Sequence, residues 1–305
     1  DAAVPDDEFA SADTADTTDP QDASECVTVD GTKYFLVGST LELMCGCHEL
    51  VRVCRSFDGV APQVATGLAN LLKTFNAVSC LQILGSEAFK SGILKKGITA
   101  KHMAITMQNL EFIAAETPRL KAQVRCRAPA DAHAEIDKAF EALAADIDNH
   151  KGQILGKLTN MLVDVIKKAL SGGLPELYSG GARLADPSKH SPPAFITQIT
   201  KSMKNLNKVI LGFMSDDSRN IILKGVFPQF IEEIERFVET HFIEDNNDEG
   251  FKIFKQDLKF LDNEIFDLTK GISSGAMFIN KIREIQQSDL TDFELEEEED
   301  EDDNE

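Results

Sequence analysis

Phe251, Phe254, Leu258, Leu261, Ile265, Leu268 and Ile272 are separated by 3, 4, 3, 4, 3 and 4 residues, the repeat of a helix with one apolar seam. A helix lying along an antiparallel bundle has the same spacing. The flanking Phe260 and Phe266 widen the stripe beyond a narrow coiled-coil seam, so a bundle is the preferred reading. Helical spacing recurs upstream. Leu41, Met44, Leu50, Val51 and Val53 predict a first helix that stops at Asp58-Gly59, and Val64, Leu68, Leu71, Leu72, Phe75 and Val78 a second. After a glycine- and lysine-rich break over 85–97, a third helix is expected from Thr99 to Glu116, ended by Pro118. A long fourth runs from Asp131 to Leu170 and stops at Ser171-Gly172-Gly173. Beyond a Gly/Pro/Ser-rich loop over 171–193, Phe195, Ile199, Met203, Leu206, Val209, Ile210 and Phe213 outline a fifth helix. A sixth extends from Asp216 to Phe242, with Pro228 expected to kink or divide it. Ahead of them all, Val27 to Leu36 holds a turn at Asp30-Gly31 that suits either a hairpin or an irregular lead into a helix. No short-period repeat points to a solenoid.

The formal charge of -21 is confined to the ends. Residues 1–25 hold nine carboxylates and residues 289–305 hold twelve, with no Lys or Arg in either stretch. Subtracting these 21 from 52 leaves 31 acids against 31 bases over residues 26–288. Residues 1–25 have almost nothing to bury and are expected to be disordered, as is the acidic tail over 281–305. The neutral core argues against nucleic acid as a ligand, since phosphate binding needs a concentrated positive field. Trp is absent and Phe outnumbers Tyr 19 to 2, so the rings read as packing. No run reaches the roughly 18 apolar residues of a membrane span. The chain begins at Asp1 rather than Met and reads as a fragment, which leaves a targeting signal unobservable. Six cysteines scattered over Cys26 to Cys126, with no Asn-x-Ser/Thr sequon, suit a reducing, cytosolic compartment.

Catalytic and metal chemistry find little footing. Cys45, Cys47, His48 and Cys54 imitate a zinc site, but on a helix Cys45 and Cys47 point about 200° apart, so buried structural thiols are the better reading. Gly85 to Gly92 lacks the Gly-Lys-Ser/Thr ending of a phosphate loop, because Ile93-Leu94 follows Gly92. His102 has no neighbouring nucleophile and reads as a hydrogen-bonded structural histidine. No catalytic, cofactor-binding or metal-ligating residues are therefore assigned. Two basic features remain as candidate partner or lipid contacts: Arg119, Lys121, Arg125 and Arg127 in an acid-free stretch, and Lys201, Lys204 and Lys208 on one helical face. A solvated surface is the alternative for both.

A series of short motifs resembles a known family. Val29-Asp30-Gly31-x-Lys33-Tyr34, Leu71-Leu72-Lys73-x-Phe75-Asn76, Leu84-Gly85 and Ile98-Thr99-x-Lys101-His102-x-Ala104 occur in the order seen in the family of vacuolar protein sorting-associated protein 54. His150-x-x-x-Ile154-x-x-Lys157-Leu158-x-x-Met161 is similar to its long helix. The resemblance covers roughly residues 26–275. Ser86-Glu87-Ala88-Phe89 replaces the family's small-residue run, and Thr117-Pro118 followed by Lys121 stands where relatives have Ile-Pro and an Arg. These departures suggest a divergent homologue.

The resemblance implies an all-α fold of elongated stacked antiparallel helical bundles, of the multisubunit tethering-complex type. It implies the end of a preceding bundle over 26–90 and a carboxy-terminal bundle domain over 91–280. In function it implies a subunit of the Golgi-associated retrograde protein (GARP) complex, capturing endosome-derived vesicles at the trans-Golgi network. Other vacuolar protein sorting subunits would be its partners, with SNAREs and small GTPases met through the whole complex. Its place would be cytosolic and peripheral on trans-Golgi and endosomal membranes. The family supplies no catalytic residues and no cofactor. A direct anionic-lipid-binding module, and a syndetin-like subunit of an endosomal recycling tether, are the competing readings.

Overall fold

The computed structural model describes residues 25–57, 59–94, 97–171, 178, 192–240, 248–269, 280 and 281. Of the expected disordered ends, 1–24 and 282–305 lie outside the described residues, as does most of the loop over 171–193, whereas Glu25 begins β1 and Lys281 pairs with Glu235. Among the described residues the fold is all-α apart from one hairpin. Strands β1 (Glu25–Val29) and β2 (Thr32–Leu36) pair antiparallel, with Val29 opposite Thr32. The two-residue loop between them puts Asp30 at φ 47° and Gly31 at φ 81°. Both are left-handed, the geometry that lets a tight turn follow strand twist and that Asp-Gly tolerates. The ambiguity at Asp30-Gly31 thus resolves to a hairpin.

The helices are α1 (Gly38–Ser56), α2 (Ala61–Ile83), α3 (Glu87–Lys90), α4 (Ala100–Arg125), α5 (His133–Ser171), α6 (Ala194–Leu211), α7 (Asp216–Val238) and α8 (Asp248–Thr269). They fall into two compact units. The first comprises residues 1–158 and 206–219, the second 159–205 and 220–305.

In the first unit, α2 packs on α1 and α4, and β2 lies against α4. Leu36, Leu68, Leu72, Met107, Leu110 and Ile113 form its buried interior. Two amides of α4 fasten the hairpin: Phe35 N donates to Gln108 Oε1 at 3.2 Å and Val37 N to Asn109 Oδ1 at 3.2 Å. They satisfy backbone donors at a strand end that has no further strand to pair with. Tyr34 then stacks edge-on against Phe112, with centroids 5.4 Å apart. Helix α2 ends where the chain turns at Gly85. A Cβ there would lie 2.6 Å from the Leu81 carbonyl oxygen, so only glycine fits.

In the second unit, Gly225 of α7 meets Thr159 of α5, where a Cβ would sit 3.1 Å from Thr159 Cγ2. Its core gathers Tyr178, Phe237 and Phe254: Tyr178 meets both phenylalanines edge-on, with 5.3 Å between the Tyr178 and Phe254 centroids, and the two phenylalanines are tilted against each other. The Tyr178 hydroxyl donates to Asp257 Oδ2 at 2.7 Å, which supplies a partner for a carboxylate with no solvent exposure.

Three expectations need correction. Pro118 does not end its helix, because α4 continues to Arg125 with Ile113, Thr117, Leu120 and Val124 buried on both sides of the ring. Pro118 itself is exposed, so the carbonyl it leaves without a donor, at Ala114, is on the side that water reaches. Pro228 likewise leaves α7 undivided. Phe260 and Phe266 do not widen the seam of α8: they are 38% and 43% exposed, while Phe254, Leu258, Leu261 and Ile265 are buried. Helix α7 runs to Val238, and Phe242 and Ile272 lie outside the described residues.

Candidate interaction surfaces

The first basic stretch forms the last turns of α4, and the fold brings acids to it. Arg119 contacts Glu116 Oε1 at 2.7 Å and Asp30 Oδ1, across the hairpin turn, at 2.5 Å. Lys121 Nζ and Arg125 Nε converge on Asp137 Oδ1 of α5, at 2.8 and 3.2 Å. The hydrogen bond from Lys121, with the charge of Arg125 added, holds the Asp137 carboxyl below its ordinary range. Arg127 lies beyond the helix and is exposed. Three of the four cations are therefore paired within the fold, by acids that are distant in sequence or precede the stretch.

The second basic feature keeps more of its charge outward. Helix α6 carries Lys201, Lys204 and Lys208 and no acid, while Ile196, Ile199, Met203, Leu206 and Ile210 on its other face are buried. Lys204 pairs with Glu264 of α8. Lys201 and Lys208 are exposed, and among the described residues neither has an ion pair.

Patterning alone gave no sign of an open groove of about 430 Å³ in the first unit. It runs between α2 and α4 at the start of α1, lined by Val37, Thr40, Phe75, Val78, Gln82 and Asn109 among others, with no charged residue in its wall. Thr40 is fully buried, yet among the described residues its Oγ1 has no hydrogen-bond partner, and neither has Gln82 Oε1. Asn109 is committed elsewhere, donating to Ile105 O at 2.7 Å besides accepting from Val37.

The other singled-out residues are structural. Cys47 and Cys54 are buried as expected of structural thiols, whereas Cys45 is exposed, on the opposite side of α1 from Cys47. Burial pushes the Cys47 and Cys80 thiols up to about 11, which leaves them protonated and unreactive at neutral pH. His102 closes a capping box at the start of α4: Thr99 N donates to its Nδ1 at 3.1 Å, and His102 N donates to Thr99 Oγ1 at 3.4 Å.

Comparison with known proteins bears on the same segment. A family described as Vps54-like protein matches residues 31–164. The human vacuolar protein sorting-associated protein 54 is 25% identical over 205 residues, 67% of this chain and 20% of that protein. The rat protein of the same name is 29% identical over 154 residues, 50% of this chain and 16% of its own. An Arabidopsis thaliana relative, vacuolar protein sorting-associated protein 54, chloroplastic, is 24% identical over 202 residues, 66% of this chain and 19% of its own. The chain thus spans at most 20% of the length of these relatives. No solved structure matches it.

Proposed function

Because this chain is Vps54-like along residues 31–164, we propose that it is the helical carboxy-terminal portion of a vesicle-tethering subunit, acting in retrograde transport from endosomes to the trans-Golgi network. It works by protein contacts rather than chemistry. Its partners are other vacuolar protein sorting subunits, with SNAREs and small GTPases engaged through the assembled complex. It sits peripherally on trans-Golgi and endosomal membranes. The observation that supports this most is that all but the last six residues of the matched segment belong to one compact unit. Its motifs are the hairpin turn at Asp30-Gly31, the glycine turn at Gly85 and the Thr99/His102 cap, each a feature that the backbone geometry requires.

Affinity purification of the tagged full-length protein tests the reading. Recovery with trans-Golgi tether components is expected. Recovery with recycling-endosome components instead would favour the syndetin-like alternative, and recovery alone would refute both.

A second reading rests on α6. Lys201 and Lys208 project from an amphipathic helix without acids, an arrangement suited to anionic head groups. Co-sedimentation of the core with phosphatidylserine vesicles should be salt-sensitive and fall when Lys201 and Lys208 become Glu. Absence of binding at low salt would remove the reading.

A further inference from the structure

Helix α2 is a surface helix whose outer face does not look solvated. Its 23 residues include one charge, Lys73, which turns toward Asp146 of α5 at 3.8 Å. Every exposed residue between 63 and 81 is uncharged. Leu71, Val78 and Leu81 are 39%, 50% and 56% exposed, where an amphipathic helix ordinarily places charged and polar side chains. The threonines add little polarity, because Thr66 Oγ1 and Thr74 Oγ1 donate back to the carbonyls of Pro62 and Asn70 in their own helix.

Within this face, Gly67, Leu71, Thr74, Val78 and Leu81 are spaced 4, 3, 4 and 3 residues apart, the seam a second helix reads. Gly67 sits in mid-helix at a cost of about 1 kcal/mol relative to alanine. Nothing in the fold requires it, since a Cβ there would have no neighbour within 4 Å. A closely approaching backbone from outside accounts for it. Along one flank of this face runs the uncharged groove, where the buried Thr40 Oγ1 and Gln82 Oε1 lack partners among the described residues.

We infer that this face of α2 is a docking site for a single amphipathic α-helix of another subunit of the tethering complex. The incoming helix presents an uncharged apolar seam to Gly67, Leu71, Thr74, Val78 and Leu81. The lack of any charge on the receiving face sets the partner's character, because a charged residue opposite would be desolvated without compensation. Size argues for a helix from a different chain rather than a second copy. The stripe is about 21 Å long and about 10 Å wide, or roughly 200 Å², well below the ~800 Å² per partner of a stable interface. It therefore holds a helix whose own chain is anchored by further contacts. The inference rests on the tethering reading above.

The test is to place the photo-cross-linker p-benzoylphenylalanine at position 78 of the full-length protein, with position 52 on the exposed face of α1 as control. The purified complex is irradiated and the adducts mapped. An adduct from position 78, absent from 52, should map to one helical segment of a co-purifying subunit whose cross-linked face is apolar and uncharged. Thr74→Glu, an exposed and helix-compatible change, should leave the melting temperature unaltered and lower recovery of that subunit at least tenfold. Subunits recovered without an adduct at 78, or an adduct to a second copy or to another stretch of the same chain, would overturn the docking site and leave the tethering reading intact. A wild-type protein that recovers no subunits would overturn both.

Discussion

His102 holds the first turn of α4 only while its ring is neutral, because Nδ1 accepts the Thr99 amide hydrogen. Burial, with the neighbouring Lys101 charge second, lowers its pKa below the ordinary 6.5. The sign of the linkage follows. Below pH 6.5 the unfolded chain takes up a proton that the folded chain resists, so stability falls until the folded ring also protonates. Above pH 6.5 this residue makes no contribution to the slope. Denaturant titrations from pH 8 to pH 5 should show that decline in the wild type and lose this part of it in His102→Gln, where an amide oxygen can still accept from Thr99. An unchanged slope would mean the cap does not titrate. A hydrogen-bonded role for His102 was legible from the sequence, since no nucleophile stands beside it. The burial of Asp257 was not, because Tyr178, its hydroxyl partner, lies 79 residues away.

The helices themselves were legible because their cores repeat at three- and four-residue intervals, and Leu258, Leu261 and Ile265 are buried where the seam places them. Local punctuation read less well. Pro118 breaks a local rule but is outweighed by buried neighbours on either side, so Pro118→Ala should restore a donor to the Ala114 carbonyl and stabilise the protein by about 1 kcal/mol. A melting temperature lower than wild type would show the ring is needed where it is. Flanking apolar residues misled for a related reason: period alone does not set the width of a buried face. Leu261→Ala should cost about 2–5 kcal/mol, whereas Phe266→Ala, at an exposed position, should cost less than about 1 kcal/mol. Equal losses would contradict the orientation of α8. The acid-free stretch after Pro118 was misleading in the same way, since Asp30 is 89 residues from Arg119. The α2 face was visible in sequence only as a shortage of charge, and exposure at Leu71 and Val78 required the packed α1 and α4 to define what is left outside.

Across the whole molecule, charge is segregated by sequence: 31 acids balance 31 bases over residues 26–288, and the ends hold the other 21 acids. A neutral body with acidic ends meets an anionic membrane differently from a uniformly acidic one, because the repulsion can be removed without touching the fold. Deleting residues 289–305 takes away twelve carboxylates and changes the formal charge from -21 to -9. At roughly 0.01 M ionic strength the Debye length is about 30 Å, so tail charges act on any basic residue within that range; at about 0.15 M it is about 8 Å and they do not. The shortened chain should therefore partition more strongly than the full chain onto phosphatidylserine vesicles at low salt. The difference should shrink toward nothing at the higher salt, and Lys201→Glu with Lys208→Glu should abolish the gain. Equal partitioning at both salt concentrations would show that the tail does not oppose the α6 lysines. A gain that survived the two lysine changes would place the membrane contact on another surface.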